Sequence, residues 1–344
     1  MNRKEREARK GEAGKGPGRP YRKGISLLKL AEMFPDEAAA HKWFERQIWP
    51  DGERCCVRCG SCRTSRVNHP TMPFRCKDCR KHFSVKTGSA LESSKLPLRK
   101  WVYAIYLDMS HVKGISSLKL RRDIGVTQKT AWFMLHRIRE AFDGEPEVPH
   151  LPGPVEIDET YIGGKERNKH RSKKKGIRGG TGGKVPVVGA KDRETNRVAA
   201  RAVPKADRET LLDFVDSVAH PDATVYTDGT SAYRGRPNHE SVAHSTGEYV
   251  RGDVHTNGVE SLWAVLKRTY MGTHHWISPK HLQRYVNELC GRQNLRDLDT
   301  IDQMREVVAG LVGKRLLYRD LTAPVVPPGS TWFGGQPMES RPGG

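Results

Sequence analysis

No apolar run in this 344-residue chain approaches the roughly 20 residues that carry a helix across a bilayer. The basic N-terminal stretch is not followed by an apolar segment either, which argues against a secretory signal there. Acidic residues are outnumbered: 40 Asp and Glu stand against 60 Lys and Arg, a formal charge of +20. A polyanion is the natural partner, although charge alone does not separate nucleic acid from an anionic membrane or a ribosome-like assembly. No long internal repeat is visible, and the length leaves room for one large domain with one or two small ones. The expectation is a cytoplasmic, nucleoid-associated protein with no membrane partner. In a reducing compartment its seven cysteines read first as metal ligands or free thiols.

Four of those cysteines have a clear spacing. Cys56-x-x-Cys59 and Cys76-x-x-Cys79 are separated by sixteen residues, which falls in the range of a four-thiolate zinc site. Each pair can form a turn with both sulfurs facing one ion, and Gly60 and Arg80, directly after the second and fourth cysteines, suit the tight knuckles. Structural zinc supplies the folding energy that so short a segment lacks in core. Cys55 and Cys62 are set aside as bystanders, because Cys55 would give a less regular C-x3-C spacing, and His69 and His82 are secondary ligand candidates. Arg54, Arg58, Arg75, Lys77, Arg80 and Lys81 surround the site, either to touch phosphates or as a solvated rim.

Residues 1–24 read as a disordered basic arm, functional or merely solubilising. Residues 25–90 hold two short helices within Ser26–Trp49 and the cysteine-rich ribbon. Residues 91–145 are helical, with segments Leu98–Leu107, Ser116–Ile124 and Gln128–Phe142. The last two form a helix-turn-helix-like pair, with Gly125 at the turn and Thr127 as N-cap of the second helix. That second helix has an apolar stripe of Ala131, Leu135, Ile138 and Phe142, and an opposite face of Lys129, His136, Arg137 and Arg139. In such motifs the start of the second helix reaches base edges, so Gln128, Lys129 and Thr130 are candidate DNA readers. A purely structural helix pair is the alternative.

A proline-rich linker (Pro146, Pro149, Pro152, Pro154) precedes a change of pattern. Strands are expected at Val155–Ile162, Val185–Ala190, Arg197–Val203 and Ala223–Thr227, with helices at Arg208–Val218, Val259–Tyr270 and Pro279–Leu289. This is an α/β domain, assigned to residues 155–322, and residues 323–344 form a disordered Pro/Gly-rich tail. The loop from Gly163 to Lys184 is crowded with Lys, Arg and Gly. Lys173, Lys174 and Lys175 within it are expected to clamp DNA backbone, unless the loop is a solvated insertion.

Asp158 in V-E-I-D-E-T-Y-I-G-G and Asp228 in T-V-Y-T-D-G-T each follow strand-type residues; Glu260 and Lys267 share H-T-N-G-V-E-S-L-W-A-V-L-K-R. Three carboxylates from different elements can hold two Mg²⁺ or Mn²⁺ ions, which suit the cutting and joining of phosphodiesters. A single Asp at a strand end is a weak signal; this combination is much more specific. Seven residues of helix put Glu260 and Lys267 on one face about 10 Å apart, so a glutamate on the metal leaves the lysine for phosphate. Trp263 lies between them, where it can stack on an unpaired base or fill the core. The neighbouring Val259, Leu262, Leu266 and Tyr270 suit the core.

These motifs resemble the IS1595-type (ISXO2-like) transposases, bacterial insertion-sequence enzymes of the DDE class. The similarity runs from about Met33 to Asn294 and includes R-C-K-D-C-R-K-H-F-S-V-K-T-G, K-G-I-S-S-L-K-L-R-R-D-I-G-V-T-Q-K-T-A-W and P-K-H-L-Q-R-Y-V-N-E. The resemblance implies an RNase H-like catalytic fold with Asp158 on the first strand, Asp228 on the fourth and Glu260 on a later helix. It places His255 and Asn257 beside the site. It also implies binding of terminal inverted repeats, strand transfer to target DNA and at least a homodimer on DNA. One departure is Cys290-Gly291, where relatives tend to have an aromatic residue before the arginine; a packing change is expected there. A zinc-ribbon DNA-binding regulator that no longer catalyses is the competing expectation, and an RNase H-like nuclease is a third.

Overall fold

The computed structural model describes residues 23–144, 150–164, 168, 170–173, 181–228, 231–233, 235–242, 255–324, 332–333 and 336–337. Helices α1 (Leu27–Met33) and α2 (Glu37–Ile48) begin at the caps Ser26 and Asp36, whose side chains accept from backbone N–H groups three residues on. A short antiparallel ribbon follows: β1 (Thr64–Arg66), β2 (Phe74–Cys76) and β3 (His82–Phe83), in that order. Gly60 and Arg80 both have positive φ, 73° and 59°, as the tight turns after each cysteine pair require. Trp49, at the end of α2, packs edge-on against Phe74 and Phe83 at 5.5 and 6.1 Å. The ribbon is thereby fastened to the helices.

Next come α3 (Leu98–Ser110), α4 (Ser117–Ile124) and α5 (Gln128–Arg139), the last continuing as a 3-10 turn over Glu140–Phe142. Ser116 and Thr127 cap α4 and α5, and Gly125 between them has φ 62°. The expected helix pair thus forms, with Thr127 the expected cap and Ser116 capping the first helix where it was expected to begin it. Ala131, Leu135 and Ile138 enter the core as the stripe requires.

The second unit is a five-stranded sheet in the order β6-β5-β4-β7-β8. Its strands are β4 (Val155–Ile162), β5 (Val185–Asp192), β6 (Val198–Ala202), β7 (Val225–Asp228) and β8 (His239–Val242). β4, β5 and β6 pair antiparallel, whereas β7 joins β4 and β8 joins β7 in parallel. β8 is a strand the sequence analysis did not anticipate. Helix α6 (Arg208–Val218) covers one face, packing Phe214 and Val215 against Val155, Ile157 and Val188. Helices α7 (Asn257–Thr269) and α8 (Leu282–Asn294) cover the other with Trp263, Leu266 and Val286 against Ile162 and Val187. The alternation of strand side chains puts these residues on opposite faces.

Beyond α8 the chain turns back. Helix α9 (Thr300–Gly310) was expected within a 155–322 domain, yet Met304, Val307, Val308 and Leu311 lie in the core of the N-terminal helices. The return is sealed by backbone bonds from Ala90 to Leu311 and from Gly313 to Gly88. A short helix, α10 (Tyr318–Thr322), follows. In the tail expected to be without structure, Trp332–Phe333 pairs with Gln336–Pro337. The basic arm, apart from Lys23 and Gly24, lies outside the described residues.

The two units meet through buried charge. Arg139 donates to Glu288 at 2.5 Å, with the two side chains 1% and 3% exposed. Arg292 joins Glu288 to Asp108, and Arg284 meets Glu140. Of the four basic residues opposite the apolar stripe of α5, only Lys129 is exposed; His136, Arg137 and Arg139 are buried. His136 is buried between Trp132, His281 and Tyr285. Desolvation, reinforced by Arg139, drives its pKa far down and leaves it neutral. Arg137 is buried against Phe133, and Arg139 lies over Tyr285. At Gly291 the two units also pack closely: a Cβ there would fall 2.1 Å from the Phe142 ring. The ring from the N-terminal unit fills that space.

Candidate active site and zinc centre

Strand β4 organises the sheet site. Asp158 lies in its middle, opposite Gly189 of β5, and not at the end of the strand as its sequence run suggested. Asp228 ends the neighbouring parallel strand β7. Each Asp158 oxygen accepts one hydrogen bond: Oδ1 from the Glu159 N–H at 2.8 Å, and Oδ2 from the Trp263 indole at 3.0 Å. Burial pushes the Asp158 carboxyl up to about 6, and Asp228 and Glu260 push in the same direction. Asp158 is therefore close enough to both to feel their charge. The three acidic groups are not drawn into ligand contact, since Cys56, Cys59, Cys76 and Cys79 form the only set of three or more such side chains clustered within 4.8 Å among the described residues.

Trp263 answers the question left by its position on α7. It is 3% exposed. A Cβ on Gly189 would lie 2.4 Å from its ring, so the indole occupies the space that Gly189 leaves empty. Ring and N–H are both used inside the protein, which removes Trp263 from the expected DNA contacts. Glu260, three residues earlier on the same helix, remains exposed and accepts from Thr256 at 3.3 Å. Lys267 and Asn257 are exposed on the same helix.

Four residues that the sequence reading passed over, Glu156, Arg193, Glu159 and Tyr233, complete the surroundings. Glu156 shares the α7-facing side of β4 with Asp158 and is 2% exposed. It accepts from the Val259 N–H at 2.9 Å, at the start of α7, and from Arg193 at 2.7 Å. Gly258 permits this approach, because a Cβ there would sit 2.6 Å from the Glu156 carboxylate. Arg193 also donates to the His255 carbonyl at 2.7 Å, which fixes the segment entering α7. On the opposite side of β4, Glu159 accepts a hydrogen bond from Tyr233. Burial raises Glu159 to about 7; the Tyr233 hydroxyl lowers it, while Asp158 and Asp228 raise it. The period-2 alternation of V-E-I-D-E carried the signal for Glu156; nothing local pointed to Tyr233.

The cysteine centre is compact. Cys56 and Cys79 sulfurs are 3.7 Å apart, and those of Cys59 and Cys76 are 3.6 Å apart. A tetrahedral ion with Zn–S of about 2.3 Å requires edges of roughly 3.8 Å, so this set fits structural zinc. Backbone N–H groups of Cys79 and Asp78 lower the Cys76 thiol to about 7 against desolvation. Cys59, against the Ser61 N–H, is pushed up to about 11 by desolvation and the neighbouring sulfurs. The support for zinc is therefore the sulfur geometry. Cys55 and Cys62 are not free bystanders: they form a disulfide, their Cα atoms 3.9 Å apart across the first knuckle. His69 and His82 stack on each other at 5.2 Å and lie outside the four-sulfur set.

At the helix pair, Gln128 and Lys129 are exposed at the start of α5. Gln128 donates to Ser117 at 3.1 Å, Lys129 lies over the Tyr318 ring at 4.6 Å, and the Thr130 hydroxyl meets that of Thr127 at 2.8 Å. Lys173 ends a short 3-10 turn, Arg171–Lys173; Lys174 and Lys175 lie outside the described residues. Among the described residues, no helix is long and apolar enough to cross a membrane.

Residues 150–294 match the ISXO2-like transposase domain, and residues 35–82 match the transposase zinc-ribbon domain. The chain is also similar to an uncharacterized protein in transposable element ISH50 of Halobacterium salinarum (strain ATCC 700922 / JCM 11081 / NRC-1). The two are 34% identical over 274 residues, covering 74% of this chain and 90% of that relative.

Proposed function

The chain belongs to the ISXO2-like transposase family, and on that premise we propose that it binds the terminal inverted repeats of an insertion element, cleaves there and transfers the strands to target DNA. The observation that carries this reading is the convergence of Asp158, Asp228 and Glu260 from two adjacent strands and one packed helix, burial first and then Asp228 and Glu260 raising the proton affinity of Asp158. Mutual repulsion of that kind is what a divalent cation relieves. An all-oxygen donor set suits Mg²⁺ or Mn²⁺. The sheet order, with three antiparallel strands followed by two parallel ones, supports an RNase H-like catalytic domain.

In this reading Asp158, Asp228 and Glu260 hold two divalent ions, with water and substrate phosphate completing their shells. Such ions, when bound, stabilise charge on the attacking and leaving oxygens of a phosphodiester. The remaining work belongs to the protein. Trp263 orients the Asp158 carboxylate and leaves a lone pair on each oxygen for a ligand. Glu156 anchors the start of α7 and so sets where Glu260 stands. Lys267, about 10 Å further along α7, takes a phosphate away from the reacting bond. The α4–α5 pair and the zinc ribbon bring duplex DNA to this surface, with Gln128, Lys129 and Thr130 as the base-facing residues and Lys173–Lys175 and Asn257 beside the bound strand. Two DNA ends require at least two copies of the chain.

The test is strand cleavage and transfer on a donor duplex carrying the element ends, with Mg²⁺ or Mn²⁺ and zinc-loaded protein. Asp158→Asn should bind the ends as the wild type does and neither cut nor join them. Full activity in that variant would overturn the assignment. Equal binding with and without divalent ions, and no cutting by the wild type, would instead identify a silent DNA-binding regulator.

A further inference from the structure

A cleft of about 1200 Å³ opens between α2, the zinc ribbon and residues 84–98. Basic groups from three elements line it, among them Lys42 and Arg46 one turn apart on α2, Arg54 and Arg58 on the ribbon, and Lys95 on the segment leading to α3. Lys42, Arg46, Arg58 and Lys95 are exposed, and no ion pair among the described residues engages them. Arg54 lies over the Phe74 ring at 5.0 Å, with one buried guanidinium nitrogen that lacks a hydrogen-bond partner.

Three acids line the same cleft, and each accepts hydrogen bonds, Glu92 from the Gly88 N–H at 3.3 Å. Glu37 accepts from the N–H groups of Leu98 and Arg99 at 2.6 and 2.9 Å, capping α3. Glu45 accepts from one Arg66 nitrogen, Nη2, on both its oxygens at 3.0 and 2.9 Å, and meets His41 Nδ1 at 2.9 Å. Unengaged charge in the cleft is therefore cationic. The chain's own N-terminal arm, rich in Lys and Arg, would be repelled from it.

We propose that this cleft is the seat of a DNA backbone, gripped between α2 and the ribbon with Lys42, Arg46, Arg58 and Lys95 against phosphates on either side. The inference rests on the DNA-binding reading above and goes beyond it in moving the ribbon's contact away from the knuckle rim of Arg75, Lys77 and Lys81. Phosphate contacts position a duplex without reading its sequence, so the cleft orients a DNA end while the helix pair reads it.

The experiment uses zinc-loaded full-length protein and an arbitrary duplex of about 30 base pairs, with affinity followed by fluorescence anisotropy across a salt series. Each phosphate contact contributes about 0.9 to the slope of log affinity against log salt. Lys42→Ala with Arg46→Ala, both on an exposed helix face that tolerates alanine, should make the slope shallower by about 2. Lys77→Ala with Lys81→Ala should leave it where it is. An unchanged slope in the first variant overturns the proposal, whatever the second does. Asp158→Asn serves as control: if it binds with the wild-type slope, as expected, then any loss of cutting bears on the catalytic reading and not on the cleft.

Discussion

Alanine at position 189 would place its Cβ 2.4 Å from the Trp263 ring, and the ring cannot retreat without releasing Asp158. Gly189→Ala is therefore expected to destabilise the protein by about 1–3 kcal/mol, the usual range for overpacking, with urea denaturation as the measurement. The acidic groups behave in the opposite way. Asp158 is raised to about 6 and Glu159 to about 7, above an ordinary carboxylate range near 4. The folded protein then keeps protons that the unfolded chain has released, so stability falls as pH rises from about 4 to 7. Without added Mg²⁺, Asp158→Asn should be more stable than the wild type at pH 7.5, by about 1–3 kcal/mol. The gain should vanish at pH 4. An equal or lower unfolding midpoint for the variant at pH 7.5 would contradict the electrostatic account.

Among the elements, the ribbon depends most on something other than its own core. Its strands are two or three residues long, and the four sulfurs hold them together. Removing zinc with a strong chelator should abolish hydrogen-exchange protection from Cys56 to Phe83 while the sheet unit keeps its protection. The Trp49–Phe74–Phe83 stack should loosen with it. Much of this element was legible in advance: the cysteine spacing and both knuckle turns depend on neighbours a few residues away, as does the Thr127 cap of the helix pair. The interior of the site was not. Trp263 bonds Asp158 across 105 residues and Tyr233 bonds Glu159 across 74, separations at which sequence pattern carries no register. The α5 cations misled for the same reason, since their partner Glu288 arrives 149 residues after Arg139.

At the scale of the molecule, the two units are joined by a buried ionic seam set among aromatic contacts. Glu288 compensates both Arg139 and Arg292, and an isolated buried charge is far costlier than a paired one. Glu288→Ala should cost about 3–5 kcal/mol and convert a single unfolding transition into two, as differential scanning calorimetry would show; one unshifted transition would refute this. The return of α9 has a consequence of another kind, in time. The helices that carry the ribbon leave the ribosome first, yet their core is closed by Met304, Val307, Val308 and Leu311. At roughly 5–20 residues per second, the core waits on the order of 10–30 s after α5 emerges. A nascent chain or a prematurely terminated product thus has an unfinished DNA-binding half until the sheet unit has been translated.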